Sequence, residues 1–210
     1  MMMAPRATQP QSAADAPAAR DIYLPEPATL LAVQQLTELE RLFDFRLDSG
    51  RELGHWPGQF VEVSMAGIGE APISLCSAPT RKGSFQLLVR KVGNVSGALH
   101  RLQPGERVGI RGPFGQPFPV EANMLEQDIL FIAGGIGLAP LRSAIQYVLD
   151  RRRHYGAVAI LFGAKSPAER LFVDEAPEWA CQPRVAYMET VDRASSDWQG
   201  NEGVITTLLP

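Results

Sequence analysis

The run Phe131-Ile132-Ala133-Gly134-Gly135-Ile136-Gly137-Leu138-Ala139-Pro140 is the densest concentration of chemistry in this sequence. Glycines at 134, 135 and 137 permit close backbone approach, and a turn from strand into helix offers free N–H groups and a positive dipole end. A pyrophosphate needs that combination. The spacing departs from G-x-G-x-x-G because Pro140 stands where a third glycine would be, and a tight turn without a ligand reads the same way. Gly137 is the expected sensitive point: a Cβ there would stand between backbone and ligand, or demand a positive φ. A second segment, Val89-Arg90-Lys91-Val92-Gly93-Asn94-Val95-Ser96, passes from a strand pattern into a short helix. Ser96 is a candidate N-cap. Its hydroxyl, the first helical N–H groups and the Arg90 guanidinium suit a diphosphate, although a capped helix without a ligand is the plainer reading. The third segment, Ala71-Pro72-Ile73-Ser74-Leu75-Cys76-Ser77, is strand-like between loops and by itself points to no chemistry.

Other residue types narrow the field. His55, His100 and His154 have no spacing that suggests a metal site, and no metal is expected. Cys76 and Cys181 are the only cysteines, too few for a disulfide scaffold, a four-thiolate zinc site or a [2Fe–2S] cluster within this chain. Cys76 reads as a small buried hydrophobe, and Cys181 lies near Trp179 with no cationic cluster to activate it. The 210 residues are 45% apolar and 20% charged, enough for a real core, and 19 glycines with 17 prolines indicate many turns. A net charge of −3 makes a nucleic-acid partner an unlikely expectation. No apolar run approaches the roughly 18 residues of a membrane span. The start of the chain, MMMAPRATQPQSAADAPAAR, lacks the apolar core of a signal peptide, so a cytoplasmic protein with a disordered lead-in over 1–21 is expected.

The elements that must position these residues fall into two patterns. Strands are expected at Leu30–Leu36, Arg41–Asp48, Gln59–Met65, Ser84–Val92 and Arg107–Arg111, with one short helix at Ser96–Leu102 stopped by Pro104-Gly105. Phe43, Phe45 and Leu47 alternate with Asp44, Arg46 and Asp48 as a half-buried strand requires. Such spacing predicts an antiparallel β-barrel over 22–120. From 121 to 210 the pattern becomes α/β. Asp128–Ala133 is a continuous apolar run of the kind buried in a parallel sheet. A helix follows over Ala139–Arg153, with Leu141, Ile145, Val148 and Leu149 on one face and Pro140 in its first turn. Arg151-Arg152-Arg153 read as its solvated end. Ala157–Phe162, Pro167–Trp179 and Arg184–Glu189 then predict strand, helix and strand, a doubly wound Rossmann-like unit. It is unfinished, since the chain ends at Gly203–Pro210 where another crossover helix is expected to begin.

Read in order, these segments resemble the ferredoxin–NADP⁺ reductase superfamily, and within it the gamma subunits of cytoplasmic [NiFe] sulfhydrogenases. The electron-transfer subunits of dihydroorotate dehydrogenase and the B subunit of anaerobic sulfite reductase are similar as well. PGQFVEV (57–63), GEAPISLCS (69–77), residues 87–120, DILFIAGGIGLAPLRS (128–143), LFGAKSPAERLFVDE (161–175) and residues 190–209 carry the resemblance. It implies a flavin-binding β-barrel followed by a nicotinamide-dinucleotide domain. FAD is the implied flavin, FMN less so, and NAD(P)H the implied substrate. The family's R-x-Y-S segment falls on Ala71, Pro72, Ile73 and Ser74, so its Arg and Tyr are both missing here. Ser74, the implied catalytic residue, keeps the hydroxyl placed near the flavin's hydride-accepting nitrogen. Val89, Arg90, Lys91, Gly93, Val95 and Ser96 correspond to flavin contacts; Gly134, Gly135, Gly137 and Pro140 to the dinucleotide loop. Lys165 would lie near the adenosine ribose, where a lone cation favours NADPH weakly. The family's later Cys-Gly-Pro strand and four-cysteine segment are not in these 210 residues, which suggests a truncated or split product. The implied function is a flavin-dependent electron-transfer subunit passing electrons between NAD(P)H and an iron–sulfur or hydrogenase-type partner in a hetero-oligomer. The alternatives are the corresponding subunit of dihydroorotate dehydrogenase and a non-catalytic flavin-binding module.

Overall fold

The computed structural model describes residues 22–209; the expected lead-in over 1–21 lies outside them. Six strands form one antiparallel sheet: β1 (Glu26–Gln35), β2 (Glu40–Leu47), β3 (Phe60–Met65), β4 (Gly69–Ser74), β5 (Phe85–Arg90) and β6 (Arg107–Phe114). Their order is β4-β3-β6-β1-β2-β5, and a bridge between Leu75 and Leu87 joins the two outer strands. Closure of this kind removes the edges that an open sheet exposes. Phe43, Phe45 and Leu47 point inward with Val61, Val63, Phe85 and Leu87. The Phe45 ring stacks on both Phe43 and Phe85. The outward side of this wall is not uniformly wet. Leu42 and Leu88 are buried there, packed in the core of the second sheet.

That second sheet is parallel, with β7 (Ile129–Gly134), β8 (Val158–Ala164), β9 (Val185–Val191) and β10 (Asn201–Glu202) in the order β10-β9-β8-β7. Helix α2 (Leu138–Asp150) connects β7 to β8, and α3 (Ala176–Ala180) precedes β9; the short barrel helix α1 covers Asn94–Leu99. Ile145 and Val148 of α2 are buried against the sheet face of Phe131 and Ala133, and Trp179 of α3 meets Tyr187 edge-on. Both helices therefore lie on one face. The strands follow one another in a single direction across the sheet, and right-handed crossovers then all fall on the same side. The doubly wound expectation is corrected: over the described residues the sheet is singly wound.

Four further expectations change. β7 is not buried on both faces, since Leu130 and Ile132 are 51% and 44% exposed. Ile205, in a 3-10 turn at Ile205–Leu208 rather than a helix, packs on the Gly163 end of that open face. The helix expected at Pro167–Trp179 is a 3-10 turn (Pro167–Glu169), a loop and the brief α3. Phe172 adopts φ +52° in that loop, a left-handed conformation that no right-handed helix contains. Finally, of the three arginines after α2 only Arg153 is exposed, the other two being half-buried. Arg152 donates to the carbonyls of Pro183, Tyr155, Gly156 and Arg184, and Arg151 lies over the Tyr147 ring at 4.1 Å.

Candidate functional site

A cleft of ≈ 740 Å³ opens where β4, β5 and α1 of the barrel meet the turn between β7 and α2. Its size falls within the roughly 300–1,000 Å³ of small-molecule sites. Antiparallel β4 contributes Ala71, Pro72, Ile73 and Ser74; β5 and the following loop contribute Val89, Arg90, Gly93, Val95 and Ser96; the turn and α2 contribute Gly137 and Pro140. The Ser74 hydroxyl has no hydrogen-bond partner among the described residues and lines the cleft. Ser96 is not the N-cap. Gly93 takes that position in an extended conformation, which puts Ser96 on the first helical turn. There its hydroxyl reaches back to accept the N–H groups of Val92 and Gly93. Arg90 is likewise engaged, in an ion pair with the buried Glu40 carboxylate. Lys91 is exposed and lines neither this cleft nor the next.

A second cleft of ≈ 420 Å³ lies at the carboxyl ends of β7, β8 and β9, lined by Gly134, Gly135, Gly163, Ala164, Lys165 and Asp192. Ligands bind at that end of parallel sheets because the helix N-termini converge there. Gly135 has φ +51°, the conformation that only glycine adopts cheaply. Gly137 is ordinary right-handed helical backbone at φ −60°, so the expectation of a positive φ moves from 137 to 135. A Cβ placed on Gly134, Gly135 or Gly137 would meet no protein atom within 4 Å. The absent side chains leave the backbone of this turn open along the cleft. Arg90 and Ile136 line both clefts, which are therefore neighbours.

Several lining residues lay outside the motifs of the sequence: Glu40, Glu169 and Asp192 reach the clefts only through the folding of distant elements. Glu169 and Asp192 put carboxylates in the same cleft as Lys165. Cys76, just past Ser74, is fully buried, and burial pushes its thiol up to about 11 against the opposing pull of the Arg142 guanidinium. It is inert at neutral pH. Among the described residues no group of three or more His, Cys, Asp and Glu side chains could hold a metal ion. No helix among them is long and apolar enough to cross a membrane.

Residues 27–118 match the family model for an oxidoreductase FAD-binding domain, and residues 131–209 that for an oxidoreductase NAD-binding domain. The ferredoxin–NADP reductase B of Sorangium cellulosum is 31% identical over 195 residues, covering 89% of this chain and 78% of that protein. The chain belongs to the ferredoxin–NADP reductase family. Within this family of FAD- and NAD(P)-binding oxidoreductases, the sulfhydrogenase 1 gamma subunit of Pyrococcus furiosus is 41% identical over 180 residues, 83% of this chain. The chain spans only 61% of that subunit's length. The fold is shared with the cytochrome b5 reductase domain of Ulva prolifera nitrate reductase, at a TM-score of 0.70 and 22% identity over 85% of this chain and 78% of that one. The reductase-family chain presents residues that fit both cofactors. The larger cleft is walled mainly by apolar side chains with a free hydroxyl at Ser74, as a flat aromatic ring requires. The glycine turn has the open backbone that a diphosphate requires.

Proposed function

We propose that this chain moves electrons between a nicotinamide dinucleotide and an iron–sulfur partner through bound FAD, as the electron-transfer part of a hydrogenase-type complex. The observation that carries this reading is that the two clefts adjoin at Arg90 and Ile136, because hydride transfer requires two cofactors brought side by side. FAD supplies the chemistry of taking two electrons as hydride and releasing them singly. In this reading Ala71–Ser74, Val89, Gly93, Val95 and Ser96 form the flavin wall, and the Ser74 hydroxyl holds the reactive edge of the ring. Arg90, shared by the two clefts, faces the cofactors with its charge balanced by Glu40. Gly134 and Gly135 hold the dinucleotide diphosphate and Lys165 stands beside the adenosine ribose, while Gly137 and Pro140, on the wall of the larger cleft, border the place where nicotinamide meets flavin. The carboxylates of Glu169 and Asp192 offset the Lys165 charge, which favours NADH over NADPH with its additional 2′-phosphate. A hetero-oligomeric setting is supported by the Pyrococcus relative's name as a subunit. A cytoplasmic setting is supported by two unpaired thiols, Cys76 and Cys181.

Anaerobic addition of NADH or NADPH to FAD-loaded protein tests the proposal. Loss of the oxidised flavin's visible absorbance supports it; an unchanged spectrum with both nucleotides overturns it. Ser74→Ala should slow the bleaching about 10-fold with FAD still bound, the scale of one hydrogen bond of about 1.4 kcal/mol.

A further inference from the structure

We infer that Arg142 is a positioning residue whose buried guanidinium sets the register of the glycine turn against the Ser74 strand, and through it the approach of nicotinamide to flavin. The second half of this inference rests on the function proposed above. Arg142 is on α2, five residues beyond Gly137, or about 7.5 Å along a helix rising 1.5 Å per residue, and only 5% of it is exposed. Its Nη1 donates to the Cys76 carbonyl at 2.8 Å and to Gln86 Oε1 at 2.9 Å, both on the barrel. Its Nε and Nη2 donate to the Glu175 carboxylate at 2.7–3.0 Å. The ring of Phe172 lies under the guanidinium, 4.5 Å from its carbon. The left-handed backbone at Phe172 belongs to the loop that brings both Phe172 and Glu175 to this point.

The same helix face continues the contact. Ser143 donates to the Ser77 carbonyl at 2.8 Å, and Gln146 Oε1 accepts the Ala78 N–H at 3.1 Å. Gln146 also donates to Glu175. Three side chains of α2 thus grip the consecutive residues Cys76, Ser77 and Ala78, beginning two residues after Ser74. A helix is stiff over this length, so its seating at Arg142 determines where Gly137 stands. An apolar pair of similar volume would relieve the desolvation cost of the buried guanidinium, offsetting the loss of the donor to the Cys76 carbonyl and Gln86. What the apolar pair lacks is direction. The planar fork admits one arrangement of its acceptors, and ångström-scale misplacement of reacting groups costs rate steeply.

The experiment compares the FAD-loaded parent with Arg142→Met, with Arg142→Met combined with Glu175→Met, and with Gln86→Ala. The double variant removes both charges of the pair; Gln86→Ala leaves the ion pair intact and loosens only its hold on the barrel. Flavin reduction at saturating nicotinamide should fall at least 10-fold in the first two and about threefold in Gln86→Ala. Nicotinamide affinity and flavin content should change less than threefold, and the double variant should keep the parental melting temperature to within a few degrees. Arg142→Lys should not rescue the rate. Amide hydrogen exchange at Ala78 supplies a readout independent of turnover, expected at least 10-fold faster in the double variant. Parental reduction rates in the folded variants overturn the inference, as does a rate loss matched by an equal loss of affinity. If the parent itself shows no flavin reduction, the proposed function fails and exchange at Ala78 decides the grip alone: unchanged exchange overturns it.

Discussion

Gly135 and Gly137 make different demands, although both leave open space where a Cβ would be. At Gly135 the left-handed backbone would charge any other residue about 1–2 kcal/mol whether or not a ligand is bound. At Gly137 the backbone is helical, so a side chain costs the fold little and obstructs only what enters the cleft. Gly137 lines the larger cleft, so Gly137→Val should keep the parental melting temperature while slowing flavin reduction by nicotinamide at least 10-fold, measured by anaerobic spectral titration. Gly135→Ala should lower the melting temperature by several degrees. His55 supplies a second test at this scale. It is buried, and its Nε2 lies 2.9 Å from the Ser77 carbonyl; burial lowers its pKa below the ordinary 6.5 despite that hydrogen bond. The unfolded chain then binds a proton that the folded chain resists. The stability His55 contributes is complete above pH 6.5 and is lost as pH falls through its depressed folded value. Melting temperatures should decline from pH 7 towards pH 5, and His55→Gln should flatten that decline.

Strand β7 shows how an element can be apolar throughout and still have one wet face. Phe131 is 5% exposed beneath α2, whereas its neighbours Leu130 and Ile132 look outward. Phe131→Ala should cost about 3–5 kcal/mol, the usual price of a large core truncation. Leu130→Thr and Ile132→Thr should each cost under about 1 kcal/mol, since much of their area is already in water. Urea denaturation of the three variants decides this, and equal losses would show that the open face is covered in solution. Periodicity predicted β7 and α2 closely because each repeats an apolar pattern over its whole length. It misjudged Pro167–Trp179, where the left-handed Phe172 breaks a segment whose composition still suits a helix.

The two sheets share a core. Leu42, Cys76, Ala78 and Leu88 from the barrel side are buried in one cluster with Phe131, Ile145 and Val148 of the α/β side. Tyr155 adds a hydrogen bond to the Val120 carbonyl. Units joined by continuous apolar packing lose stability together. Calorimetry should show a single unfolding transition, and Leu88→Ala should shift the whole of it downward by the roughly 2–5 kcal/mol of a buried leucine truncation. Two transitions, only one of them moved by Leu88→Ala, would show that the barrel and the parallel sheet fold separately.

Local pattern determined much of this protein. The alternation of Phe43, Phe45 and Leu47, the apolar run into Gly134-Gly135-Ile136-Gly137, and the order of the three motifs were sufficient for a barrel followed by a parallel sheet. The family rested on a resemblance carried by longer stretches, spread from residue 57 to residue 209. The alternation and the apolar run each lie within a dozen residues, where strand and helix periods are set by backbone geometry alone. Tertiary structure decided the rest, because burial and partnership belong to residues far apart in the chain. Glu40 is 50 residues from Arg90 and pairs with it; Arg142 is 66 from Cys76 and 33 from Glu175. No local rule marks Arg142 as buried, since its neighbours give it the position of an ordinary helical arginine. Only the closing of α2 onto the barrel and onto the Phe172–Glu175 loop removes its water and gives its donors a direction.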